Sequence, residues 1–133
     1  PDYQKILREA NDRGIIVYHG LQKDVTPFYE RCSCFLYPSY YPEGMSNVLL
    51  EAAATGRPVI TSDIYGCREA VDEATTGLLC TVRDADSLYE QMKKMALLSR
   101  REREQMGLAA RKKMERQFDK KVVVKNTIDA IFQ

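Results

Sequence analysis

The sequence predicts an α/β protein, a parallel sheet covered by helices. Three observations carry that expectation. Short apolar runs recur at Ile15-Ile16-Val17-Tyr18, Cys34-Phe35-Leu36-Tyr37, Pro58-Val59-Ile60-Thr61-Ser62 and Leu78-Leu79-Cys80-Thr81-Val82. None of them alternates apolar with polar residues, so each reads as a strand buried on both faces. Segments of helical period separate the runs, which is the order that builds a parallel sheet.

Local chemistry justifies each element in turn. Tyr3, Ile6, Leu7 and Ala10 form an i, i+3, i+4, i+7 stripe that predicts a helix over 3–12, and Gly14 ends it. The run at 15–18 closes at Gly20. Asp24-Val25-Thr26-Pro27 opens a second short helix, with Asp24 or Thr26 as cap and proline in the first turn. Pro38-Ser39 halts the second strand, and a polar loop leads to Ser46. Helix follows from Asn47 to Ala54 and stops at Gly56. Pro58 is tolerated because it begins a strand. A short helix near Arg68–Val71 and a Thr76-Gly77 turn precede the fourth strand. Residues 84–133 form a helical C-terminal segment of a single partial domain, 1–133. There Leu88, Met92 and Met95 share one face, Met106, Ala110, Met114 and Phe118 another, and Val124, Ile128 and Ile131 a third. Methionine at helical spacing is core, not a cofactor ligand.

Composition narrows the function classes. The 133 residues suit one domain, and an apolar content of 44% closes a core, which excludes a disordered chain. No apolar run approaches the roughly 20 residues of a membrane span. Pro1-Asp2-Tyr3-Gln4-Lys5 does not open a signal peptide, and the chain reads as an excised piece of a cytoplasmic protein. Cys32, Cys34, Cys67 and Cys80, with His19 as the one histidine, fit neither a disulfide scaffold nor a zinc site; no metal is expected. Residues 1–92 carry 8 basic and 14 acidic side chains, whereas residues 93–133 carry 12 and 5. That basic third reads as a solvated face, with peripheral contact to anionic lipid at the inner membrane face as the alternative. It lacks the interleaved aromatics that would stack on nucleic-acid bases, so no nucleic-acid partner is expected.

Ligands of parallel sheets bind at the carboxyl ends of the strands. The stretch Tyr37 to Ala52 lies at such an end. A buried strand leads to a loop, Gly44 lets the backbone turn, and a helix starts at once. Its first N–H groups have no internal acceptors and sit at the positive end of the helix dipole, which makes an anion site without a metal. Ser46 or Asn47 caps the helix or adds a hydrogen bond to the anion. Glu51 follows Asn47 by one turn on the same face, and a carboxylate there can accept from both hydroxyls of a ribose. Glu43 precedes the helix, so a carboxylate stands on either side of the anion site. Helix-start glycines and surface glutamates are common, and two glutamates eight apart carry no meaning alone.

The motif order adds what spacing cannot. Pro38-Ser39, the run Glu43-Gly44-Met45-Ser46-Asn47-Val48-Leu49-Leu50-Glu51-Ala52-Ala53-Ala54, and Gly56-x-Pro58-Val59-Ile60 together resemble the signature of glycogen-synthase-like retaining glycosyltransferases. Val17-x-His19-Gly20, Gly66-x-x-Glu69 and Thr76-Gly77-Leu78-Leu79 agree in order, and the match spans residues 3–98. The resemblance implies the C-terminal, Rossmann-like half of a GT-B fold. It implies a nucleoside-diphosphate sugar, UDP-linked among the choices, as donor. The glycosyl group would pass to an acceptor hydroxyl, with retention and without cofactor or metal, as in polysaccharide biosynthesis. Glu51 would hold the ribose, the backbone N–H groups of Met45, Ser46 and Asn47 the diphosphate, and Glu43 would stabilise charge near the reacting carbon. Gly20 and Leu21 would line the base pocket. Two alternatives stay open at this point: a GT-B-like sugar-nucleotide epimerase, and a non-catalytic Rossmann-like binding module.

This chain departs from the pattern at Tyr65-Gly66-Cys67-Arg68-Glu69, where relatives have Gly-Gly-x-Pro-Glu; Cys67 and Arg68 put the donor-sugar contacts of that loop in question. The resemblance also implies that the domain's first two strands, and an acceptor domain for a saccharide or lipid-linked substrate, are absent. Those two strands would lie between the runs at 15–18 and 34–37. The four remaining strands are expected either to pair directly or to complete the sheet by self-association.

Overall fold

The computed structural model describes residues 2–41 and 44–131. The elements follow in the order α1 (Tyr3–Asp12), α2 (Thr26–Arg31), β1 (Phe35–Tyr37), α3 (Asn47–Ala54), β2 (Val59–Ser62), a single 3-10 turn (Arg68–Ala70), β3 (Gly77–Cys80), α4 (Ala85–Leu97), α5 (Arg100–Gln117) and α6 (Lys120–Ile131). The strands form a parallel sheet in the order β1-β2-β3, with Phe35 opposite Val59 and Val59 opposite Gly77.

β2 is the centre of the molecule because both of its faces are covered. All four of its residues are buried. Val59 points into a cluster with Tyr29, Leu49, Ala52 and Val71, and its neighbour Ile60 points the other way, onto Leu78, Met95 and Met106. A strand with apolar residues at consecutive positions can satisfy both only with a layer on each side. Burying side chains such as Leu49 and Ile60 contributes roughly 2–3 kcal/mol each. α5 then lies along α3, where Ala53 packs on Ala110 and Met114.

Helix ends are set by specific groups. Gly56, at φ +82°, closes α3 with its N–H on the Ala53 carbonyl while the Arg57 N–H returns to Ala52, the paired bonds of a Schellman ending. Asp84 caps α4 through the Ser87 amide, and Ser99 with Glu102 forms a capping box on α5. α5 approaches α3 by its backbone: a Cβ placed on Gly107 would lie 2.0 Å from the Gly56 carbonyl oxygen.

Three expectations are corrected. The run at 15–18 is not a strand. It is exposed, Val17 to 73%, and its amides turn back toward α1: Ile15 and Ile16 donate to the Ala10 carbonyl, and Tyr18 to Asn11 Oδ1. β-branched residues favour extended backbone, but a strand needs a neighbour, and no described strand lies beside this run or on the outer edge of β1. Among the described residues, direct pairing of four strands therefore does not occur. The fourth predicted strand ends at Cys80, because the Thr81 amide is taken by Ser87 Oγ in the first turn of α4. Finally, the apolar stripes of α1 and α6 form but are not buried. Tyr3 and Ile6 are exposed, as are Val124, Ile128 and Ile131. Among the described residues, no helix is long and apolar enough to cross a membrane.

Candidate functional site

β1 ends at Tyr37, and the chain passes through the polar loop to enter α3 at Asn47. A hollow of about 350 Å³ opens there, lined by Tyr37, Gly44, Met45, Ser46, Asn47 and Val48. Among the described residues, no packed side chain fills the predicted helix opening. Ser46 stands at the N-cap in extended conformation and is buried, but its hydroxyl makes no capping bond. Among the described residues, the amides of Asn47 and Val48 meet no acceptor. With the N-terminal end of the α3 dipole behind them, these donors suit an anion.

One of the three expected amides is not free. The Ser46 N–H donates to the Gly66 carbonyl at 3.2 Å, which corrects the expectation that it is open to a diphosphate. Gly66, at φ +91°, in turn donates its own N–H to Glu69 Oε2 at 2.8 Å. Glu69, Gly66 and Ser46 thus form a relay that ties the loop after β2 to the start of α3. Sequence order marked Gly66 and Glu69 as landmarks without revealing that role. In the same loop, the bulk of Cys67 turns into the core, and Arg68 stays exposed with Nε 3.8 Å from Asp63 Oδ1.

Glu51 is exposed on α3, and its Oε2 accepts a hydrogen bond from the Tyr29 hydroxyl at 3.2 Å. Tyr29 is only 5% exposed and packs edge-on against Phe35. Burial, then the bond to Glu51 and the carboxylate's charge, pushes the phenol up to about 12 from its ordinary 10.0. The phenol is therefore a donor throughout the neutral range. Sequence reasoning missed Tyr29, since the contact crosses 22 residues and no local pattern encodes it.

Of the remaining expected residues, Glu43 lies outside the described residues. Gly20 and Leu21 are exposed and do not line the hollow at Gly44. Their segment is held on α2 instead, where the His19 ring meets Phe28 edge-on at 4.7 Å. Among the described residues, no group of three or more His, Cys, Asp or Glu could share a metal ion.

A larger cavity, about 980 Å³, lies at the other end of the sheet and is lined by Arg31, Arg57, Arg100, Arg103 and Arg111 among others. Its charge has a structural use. Arg57 donates to the Tyr29 and Glu30 carbonyls, Arg103 to Leu98 and Arg111 to Ala54. These are the carbonyl ends of α2, α4 and α3, where cations offset the negative end of the helix dipole.

A parallel sheet whose strand end leads through a glycine-containing loop into a helix start is a Rossmann-like arrangement. The chain belongs to the family described as Glycosyl transferases group 1, whose model matches residues 1–97. Among curated relatives, it is 32% identical over 116 residues to an N,N'-diacetylbacillosaminyl-diphospho-undecaprenol alpha-1,3-N-acetylgalactosaminyltransferase of Campylobacter jejuni, covering 86% of this chain and 30% of that protein. It is 37% identical to the glycogen synthase of Mycobacterium tuberculosis, over 84% of this chain and 26% of that one. The chain thus spans under a third of either relative. Among solved structures, Anabaena HepE in complex with UDP superimposes with a TM-score of 0.81 at 23% identity, covering 98% of this chain and 36% of that one. The fold is that of one Rossmann-like domain of a GT-B glycosyltransferase.

Proposed function

We propose that this domain binds the nucleoside-diphosphate sugar donor of a retaining glycosyltransferase. The observation that carries the reading is the α3 opening: the amides of Asn47 and Val48, which meet no acceptor among the described residues, lie at a hollow of about 350 Å³, with the Glu51 carboxylate one turn further along. In this reading the diphosphate sits over the amides of Met45, Asn47 and Val48, whose fixed dipoles take up the leaving-group charge without a metal. Glu51 accepts from the ribose hydroxyls. Glu43 stabilises positive charge near the reacting carbon, and Gly20 and Leu21 meet the base. The acceptor, a saccharide or lipid-linked hydroxyl, is held outside this chain. Family membership and the UDP complex of the Anabaena protein support the donor class.

The test is calorimetry or saturation-transfer NMR of the 133-residue chain with UDP, GDP and ADP. One of the three should bind with EDTA present, and Glu51→Ala should weaken that binding about tenfold. In the full-length protein, Glu43→Ala should abolish transfer and spare nucleotide binding. Silence with all three nucleotides at millimolar concentration would overturn the reading in favour of an assembly module.

A further inference from the structure

We propose that Tyr29 is a positioning residue for nucleoside recognition, holding Glu51 in the orientation that accepts a ribose. The inference rests on the donor-binding reading of Glu51. It is carried by how α2 is connected on its two sides. Phe28 touches the His19 ring at 4.7 Å, and the very next residue, Tyr29, hydrogen-bonds Glu51 Oε2 at 3.2 Å. Consecutive residues of one short helix therefore link the segment 19–21 to the carboxylate on α3. α2 is itself fixed at its far end, where Arg57 donates to the Tyr29 and Glu30 carbonyls.

The carboxylate has room for both partners. Two oxygens offer about four acceptor sites, and the phenol occupies one of them on Oε2. No other described donor meets the Glu51 side chain, so Oε1 and the second site of Oε2 stay open to vicinal hydroxyls. An exposed glutamate that is otherwise free must lose rotamers when it binds. A buried, edge-packed phenol removes that freedom beforehand, which is the physical basis of preorganisation.

Tyr29→Phe keeps the ring and deletes the O–H. Calorimetry with the best-binding nucleotide of UDP, GDP and ADP should show affinity roughly fivefold lower, the scale of one hydrogen bond to a charged group. The preference of the wild-type chain for the ribonucleotide over its 2′,3′-dideoxy form should shrink in parallel. In a Glu51→Ala background, Tyr29→Phe should have no further effect. A merely structural role would weaken both nucleotide forms equally and persist in that background, which would overturn the proposal. So would unchanged affinity, or tighter binding, since a hydroxyl competing with ribose for Glu51 predicts the latter. Wild-type protein that binds no nucleotide removes the donor reading and this inference together; wild-type binding with an indifferent Tyr29→Phe removes this inference alone.

Discussion

Burial strips water from the Tyr29 phenol, and the Glu51 carboxylate 3.2 Å away opposes a second negative charge beside it. Both effects favour the protonated form, so the folded phenol ionises near about 12 where the unfolded one ionises near 10.0. A raised tyrosine pKa contributes stability in full below the unfolded value, and that contribution is lost as pH rises from 10.0 to about 12. Wild-type protein should therefore lose on the order of 2 kcal/mol more unfolding free energy across that window than Tyr29→Phe does. Denaturant titrations of both proteins at each end of the window check this, and parallel curves would refute the assigned cause. At this scale the sequence placed Gly44 and the helix start at Asn47 just beyond a strand end, where the structure also has them. It could not identify Tyr29, nor foresee that the Ser46 amide is spent on Gly66, because those bonds join residues from separate segments.

At the scale of elements, the junction of α3 and α5 gives a prediction that helix propensity gets wrong in sign. Alanine is favoured over glycine inside a helix by about 1 kcal/mol. At Gly107 the added carbon would lie 2.0 Å from the Gly56 carbonyl and 3.2 Å from Pro58 Cδ, neither of which is the far end of a flexible chain. Gly107→Ala should then destabilise the protein by about 1–3 kcal/mol net, with α5 displaced from α3. Thermal unfolding decides between the two signs. Most elements were legible in advance, because caps, glycine stops and apolar period are local: α1 (Tyr3–Asp12) and α3 (Asn47–Ala54) carry the expected bounds. The run at 15–18 was misread for the opposite reason. Its residues favour extension, but pairing depends on a neighbour that local sequence does not specify, and its amides found α1 instead.

Across the whole molecule, one buried cation joins the C-terminal helices to the sheet. Lys113 on α5 is 4% exposed, and its Nζ lies 2.8 Å from Oδ1 of Asp72, in the segment between the 3-10 turn and β3. Asp72 is far more exposed, so water can solvate it alone, while Lys113 has little such recourse. The two partners should therefore respond unequally. Asp72→Ala strands a buried ammonium and should cost about 3 kcal/mol or more, whereas Lys113→Met leaves a hydratable carboxylate and should cost clearly less. Equal losses in chemical denaturation would show that the pair does not behave as a buried charge and its solvated partner.

The same contact marks the boundary between what each level of description supplied. The sequence by itself determined the parallel α/β class, the helix that begins beyond Gly44, and the glycosyltransferase likeness, since apolar runs, glycine positions and motif order are all properties of the chain read in line. Only the tertiary structure decided that the strands among the described residues pair in the order β1-β2-β3, that Tyr29 meets Glu51, and that Glu69 acts through Gly66 on Ser46. Those outcomes depend on which distant groups compete for the same hydrogen bonds and the same buried space, and that competition begins only once the chain has closed on itself.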